Sequence, residues 1–318
     1  SSYSLSNTPL AKRFLNEFNT NLYITKEKNR GFTSINSIID TEDNRLNFNR
    51  LEDQQDLISV KLKNIVNPNE FVLLKLIYKL KIQDGNFTGY GKNKDGDYNL
   101  NTWYLTPVMF DKDWKLYSNL NFDKPYSPKC NVEIKIKVPL EYNVYSELAI
   151  INTKENIKTK EYTLKDKNVR YHDIFITKKK FRTYEFGLSK ISILDHKNDL
   201  DSITTNIYLN KINNYLIERL NFKLKEKIII SNVDLLNNSV YGLSFVPAFI
   251  SPHSKDFDYE ISLAKNIIEK YLDQIFLNDP REDLWLKNGY ETILLMDYIN
   301  TNYKDLKLIG KLADLWPI

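Results

Sequence analysis

Apolar and charged residues alternate along Val72-Leu73-Leu74-Lys75-Leu76-Ile77-Tyr78-Lys79-Leu80-Lys81-Ile82 and again along Val132-Glu133-Ile134-Lys135-Ile136-Lys137-Val138. A period of two puts alternate side chains on opposite faces of a strand, so both runs predict sheets with one buried and one wetted face. Turn-forming clusters punctuate them, at Asp84-Gly85-Asn86, Asp95-Gly96-Asp97 and Lys124-Pro125-Tyr126-Ser127-Pro128. Connections this short favour antiparallel meanders over parallel crossovers. Residues 51–188 therefore read as a β domain.

Beyond Ser189 the period changes. From Ile203 to Leu220, the residues Leu209, Ile212, Leu216 and Leu220 recur at helical spacing. Strand-like runs follow at 226–230 and 240–250. Two further helices are expected, at 256–276 and 282–300, with Asn278-Asp279-Pro280 between them as a break and an N-terminal signal. Residues 189–318 thus read as an α/β domain, and the chain as α+β. The 1–50 extension offers one short amphipathic piece, Leu10 to Phe18, and no internal repeat is visible.

Composition agrees with two packed domains: 318 residues at 42% hydrophobic suffice for a core in each. Lysine and arginine total 45 against 41 acids, and the net charge of +4 is spread along the chain. That distribution leaves no electrostatic footprint for nucleic acid. The basic run Lys178-Lys179-Lys180, with Arg182, lies between strand-like segments and reads as a solvated hairpin tip. A single cysteine, Cys130, excludes an intramolecular disulfide and a thiolate zinc cluster, and is expected as a buried structural thiol. No apolar run approaches the roughly 20 residues that span a bilayer, so no transmembrane segment is expected. The Ser-rich start lacks the layout of a secretion signal, so an exported chain would have lost its signal already.

Candidate chemistry is sparse. The three histidines, His172, His196 and His253, never come within four residues of one another, so no H-x-x-x-H pair exists. Zinc hydrolases need paired imidazoles on one helical face together with a carboxylate. Each histidine is read as a surface or capped residue. No nucleophile elbow, Walker loop or dinucleotide fingerprint occurs among the nine scattered glycines. The sequons at Asn86 and Asn237 are expected by chance in so Asn-rich a chain.

One segment carries a resemblance. Lys265-Asn266-Ile267-Ile268-Glu269-Lys270-Tyr271, followed by Asp283-Leu284-Trp285-Leu286-Lys287-Asn288-Gly289-Tyr290, resembles the zinc-site helix pair of the gluzincin aminopeptidases, of the aminopeptidase N and leukotriene hydrolase type. Their pattern is H-E-x-x-H, an aromatic two residues on, then D-L-W-L-N-E-G-F. Anchored on the second motif, the two histidine ligands fall on Lys265 and Glu269, the later glutamate ligand on Asn288 and the general base on Asn266. An amide cannot take a proton from a metal-bound water near neutral pH.

The family's G-x-M-E-N strand, which offers a carboxylate to a substrate's free amino terminus, aligns with Gly242-Leu243-Ser244-Phe245-Val246. Phe245 stands in the carboxylate's place, and a phenyl ring cannot pair with an ammonium as a buried carboxylate does. Upstream, Tyr98 to Pro107, Trp114, Val132 to Pro139 and Lys167 to Asp173 resemble the family's β domain, especially its bacterial members. In all, the resemblance covers roughly 56–318.

The resemblance implies an antiparallel β domain followed by part of a thermolysin-like α/β domain, 189–318, with the family's transition-state tyrosine and helical C-terminal domain lying later than this chain reaches. It implies a degenerate member with no catalytic residue, no bound metal and no cofactor. Lys265 would fill the metal's place, held by Glu269 and Asn288. The expected role is binding or scaffolding, with a peptide or protein partner. The Lys, Asn and Ile bias and the bacterial flavour of the β-domain segment point to a periplasmic or cell-surface location and an envelope or outer-membrane complex. Two alternatives stay open: an active zinc aminopeptidase with ligands from elsewhere, and an accessory subunit of a larger envelope assembly.

Overall fold

A computed structural model describes residues 6–304 apart from 7, 17, 52–55, 86, 88, 102, 117–125, 187–188, 195–200, 222–226, 238–253, 277 and 280–281. The chain divides into two compact units, Ser1–Pro128 and Lys129–Ile318. The strands from Cys130 onward, read from sequence as part of the 51–188 β domain, thus belong to the second unit.

In the first unit, helix α1 (Pro9–Asn16) starts where Thr8 Oγ1 accepts a hydrogen bond from the Ala11 amide at 3.3 Å. The hydroxyl satisfies one of the donors that a helix start leaves open. Leu10, Ala11 and Phe14 then pack with Leu22 of α2 (Asn21–Ile24) and with Phe87. Strand β1 (Phe32–Ile39) is followed by β2 (Phe48–Arg50), β3 (Ile58–Val60) and β4 (Lys75–Lys81). The last of these is the alternating run foreseen from sequence. It pairs antiparallel with β1, Ser34 opposite Lys79, with a register shift between Ile35 and Ser37. β2 and β3 pair antiparallel, as do β5 (Gly91–Lys92) with β6 (Tyr98–Leu100) and β7 (Phe110–Asp111) with β8 (Asp113–Trp114). Gly91 has φ +128°, and a Cβ there would lie 2.4 Å from the Gln83 carbonyl, so only glycine fits.

The second unit opens with a three-stranded antiparallel sheet of β9 (Cys130–Pro139), β11 (Ala149–Glu155) and β12 (Thr159–Val169), in the order β11-β12-β9. Cys130, at the start of β9, is exposed. Alternation puts Cys130 on the same face as Val132, Ile134, Ile136 and Val138, but it is the first residue of the strand, beyond the register shift at Asp166/Val169. The cover over that face does not reach it, so the expected burial fails. β10 (Asn143–Ser146) pairs antiparallel with β13 (Ile174–Thr177). β14 (Arg182–Phe186) pairs with β15 (Ser189–Ile193) in another sheet. Lys178 to Lys180 therefore join two different sheets rather than cap a hairpin, and Lys178 pairs with Glu141 at 2.9 Å.

Helix α3 (Ser202–Leu220) carries the chain from β15 to β16 (Lys227–Ile230), which lies parallel to β15. A parallel neighbour needs such a crossover. Asp201 caps α3 by accepting from the Thr204 amide at 2.6 Å, and Asn221 ends it in the left-handed conformation. Then come α4 (Asn232–Asn237), α5 (Lys255–Ile275) and α6 (Leu284–Asn302). Leu209, Ile212 and Leu216 of α3, Ile261, Leu263, Ile267 and Ile268 of α5, and Leu294 and Leu295 of α6 close one core over Ile191, Ile228 and Ile230. Glu260 of α5 is buried within the same unit. The hydroxyls of Tyr298 and Tyr303 donate to it, and Lys211 pairs with it at 2.9 Å.

Candidate functional site on helices α5 and α6

Helix α5 is buried on almost every side. Among its apolar residues stand Ser262, Asn266 and Lys270, spaced i, i+4 and i+8 and all buried. That spacing gathers them into one polar stripe. The Asn266 side-chain amide donates to the Ser262 carbonyl at 2.8 Å and to the Asp234 carbonyl of α4 at 3.4 Å. Further along, the Lys270 ammonium pairs with Glu147 at 3.1 Å and Asp173 at 3.4 Å. Asp234 accepts from the backbone amide and hydroxyl of Ser231 at 2.7 and 2.8 Å.

Three carboxyl groups therefore surround one buried ammonium. Burial opposes the ammonium's charge, but Glu147, Asp234 and Asp173 outweigh it, and Lys270 stays protonated well above the usual lysine range. Asp234 is raised as well, but by burial, which favours its neutral form: its carboxyl lies above the usual range, with Lys270 opposing and Asp173 assisting. Sequence reasoning missed Lys270 and Asp234. A usable signal existed, since a lysine flanked by Ile267, Ile268, Tyr271 and Leu272 has no solvated helix face to occupy.

Lys265, Glu269 and Asp273 repeat the i, i+4, i+8 spacing one residue to the side, so they form a second, ionic stripe along α5. Lys287 of α6 reaches it, pairing with Asp273 at 2.7 Å and Glu269 at 3.8 Å. Glu291, one turn beyond Lys287, completes the group. Burial pushes its carboxyl up to about 7; neighbouring Glu269 and Asp273 add to the rise, while Lys265 and Lys287 oppose it. Two ammonium groups and three carboxyl groups thus meet between the two helices.

The residues singled out from sequence separate accordingly. Lys265 and Glu269 lie on the ionic stripe, and Asn266 on the polar stripe facing α4. Asn288 is exposed on α6, its backbone carbonyl accepting from the Thr292 hydroxyl at 2.8 Å. Gly242 and Phe245 lie outside the described residues, as do His196, His253 and the strand expected at 240–250. His172 is buried. Among the described residues no three His, Cys, Asp or Glu side chains converge to hold a metal ion.

The arrangement of these elements decides the comparison with solved structures. The chain has a mixed α+β fold matching part of the two-domain M1 zinc metallopeptidase fold. Over 86% of its length it superposes on a two-domain M1 zinc metallopeptidase mutant bound to L-arginine, with a TM-score of 0.52 and 11% identity. It matches the M1 zinc metallopeptidase of Deinococcus radiodurans over 85% of its length, with a TM-score of 0.51 and 10% identity. A mutant of that enzyme bound to a Tyr-Ser-Ala substrate gives a TM-score of 0.53 and 14% identity over 86%. The chain spans 64%, 61% and 62% of those three structures' lengths. No protein-family model matches the chain. No curated protein matches it in sequence.

The solved structures that the chain resembles are zinc metallopeptidases, and the donor set that the motif resemblance assigns to the metal can be tested against zinc. A protonated lysine at 265 offers no lone pair and repels a dication, and the neutral amide of Asn288 is a poor substitute for a carboxylate ligand. Glu269 alone of the three keeps the chemistry of a ligand. The residues at the positions that the motif resemblance assigns to the ligands do not offer the donor set that zinc takes.

Proposed function

We propose that this chain is a non-catalytic, peptidase-like protein that works by binding a peptide or another protein, as a scaffold component of a bacterial cell envelope. One observation carries the reading: at the helix pair whose sequence resembles the family's zinc-site motif, α5 and α6 bring Lys265 and Lys287 against Glu269, Asp273 and Glu291. Lysine ammonium groups there offset the carboxylates that a dication would otherwise have to balance. Asn266 supports the same reading. Its amide is turned to the Ser262 and Asp234 carbonyls, and it has no basic oxygen with which to activate water.

Zinc content and peptidase activity of the purified chain test the proposal together. The expected result is zinc far below one atom per chain and no chelator-sensitive release of a fluorogenic aminoacyl amide. Stoichiometric zinc with chelator-sensitive turnover overturns it. That outcome would establish the second reading, an active zinc aminopeptidase drawing ligands from elsewhere in the chain, which the peptidase activity of the fold's solved relatives favours. Affinity capture with the full-length protein identifies the partner directly.

A further inference from the structure

Between β3 and β4, residues 63–73 are all exposed, and five of those eleven are large and apolar. Ile65 and Phe71 are each 88% exposed, Leu73 is 60% exposed, and Val66 and Val72 accompany them. The loop's tip has a built geometry. Asn67-Pro68-Asn69-Glu70 forms a turn with the Glu70 amide donating to the Asn67 carbonyl at 3.0 Å and Asn69 in the left-handed region at φ 68°. Proline second and a left-handed asparagine third fit a type II turn. The Glu70 carboxylate folds back to accept from the Asn67 backbone and side-chain amides at 2.9 and 3.0 Å. The one acid of the loop is thus engaged within the turn, and the apolar side chains stand to either side of it.

The surroundings are basic. Lys61 and Lys63 enter the loop, Lys75 leaves it, and Lys79 follows on the same face of β4 as Lys75 and Ile77. β1, the strand paired with that face, contains no acidic residue, and Ser34 stands opposite Lys79. Lys63 acts electrostatically on Asp40, just past the end of β1, and helps to lower its carboxyl. An exposed apolar loop with lysines at both of its ends matches a bilayer surface in two ways: the hydrocarbon boundary takes the apolar tip, and anionic headgroups take the ammonium groups. We propose that the β3–β4 loop is a membrane-surface anchor, in which Ile65, Phe71 and Leu73 insert into an anionic lipid bilayer while Lys61, Lys63, Lys75 and Lys79 engage its headgroups. The anchor is peripheral and independent of whether α5 and α6 carry out chemistry.

Sedimentation of the full chain with phosphatidylcholine vesicles containing about 30 mol% phosphatidylglycerol tests it, since such a surface attracts each nearby lysine. The wild-type chain is expected to bind these vesicles, to bind pure phosphatidylcholine weakly, and to release as salt rises from about 0.1 to 0.5 M. The Ile65→Ser/Phe71→Ser double variant, altered only at exposed side chains, is expected to keep its unfolding temperature and lose at least about tenfold in partitioning. A Lys61→Gln/Lys63→Gln/Lys75→Gln variant is expected to lose the preference for anionic lipid. Absence of wild-type binding overturns the proposal, and so does undiminished binding by the double variant. Concentration-dependent self-association that the double variant abolishes, without vesicle binding, also overturns it and assigns the loop to a second copy of the chain.

Discussion

Lys270 gathers Glu147, Asp173 and Asp234 around one ammonium, so its removal leaves carboxylates buried without their cation. Replacing it with methionine is expected to destabilise the fold by about 3–5 kcal/mol in urea unfolding at pH 7. The gap should narrow in acid, where the carboxyl groups take up protons. Lys270 itself titrates above the usual lysine range, so its stabilisation is complete below that range and is lost only as the pH climbs through its raised value. Glu291 behaves differently. Its carboxyl is held up at about 7, so the folded chain binds this proton more tightly than the unfolded one, and stability falls as pH rises from the ordinary glutamate value through about 7. Glu291→Gln removes that slope. At pH 8 the variant is expected to be more stable than the wild type by about 1–2 kcal/mol after solvent screening, and no more stable at pH 4.5.

Elements with a sustained period were legible in the chain. β9 shows strict alternation and β4 alternation broken only by Ile77, and α3, α5 and α6 show apolar positions at helical spacing, so each falls within a few residues of its expected limits. The two- and three-residue strands β2, β3 and β5 to β8 are too short to display any period. The parallel pairing of β15 with β16 depends on a partner more than thirty residues away, which local alternation cannot report. Lys178 to Lys180 were correctly placed between strands, but which strands pair is again a long-range matter. Caps were open to reading one residue at a time. Asp201 donates no proton yet closes the first turn of α3, and Asp201→Ala is expected to cost about 1 kcal/mol, measured as a lowered thermal midpoint with helix content retained.

For the molecule taken whole, the chain's order of strands and helices matches solved M1 metallopeptidases at only 10–14% identity. At that distance packing is kept while individual side chains drift, so a shared fold does not by itself carry over a shared site. Lys265, Glu269 and Asn288 were singled out from motif spacing alone. That Lys287 and Glu291 of α6 meet Lys265, Glu269 and Asp273 of α5 was not legible, because only the packing of the two helices brings the two sets together. If the ionic group stands in for the metal, a strong chelator leaves the thermal unfolding temperature unchanged, whereas a structural zinc would show a clear drop on chelation.

The surface position of Cys130 has a practical consequence. The chain contains one cysteine, and its sulfur is open to solvent at the head of β9. A maleimide fluorophore should therefore couple to the native protein at one dye per molecule, without engineering and without unfolding. Labelled in this way, the unaltered chain can be followed by fluorescence as it meets a vesicle or a captured partner.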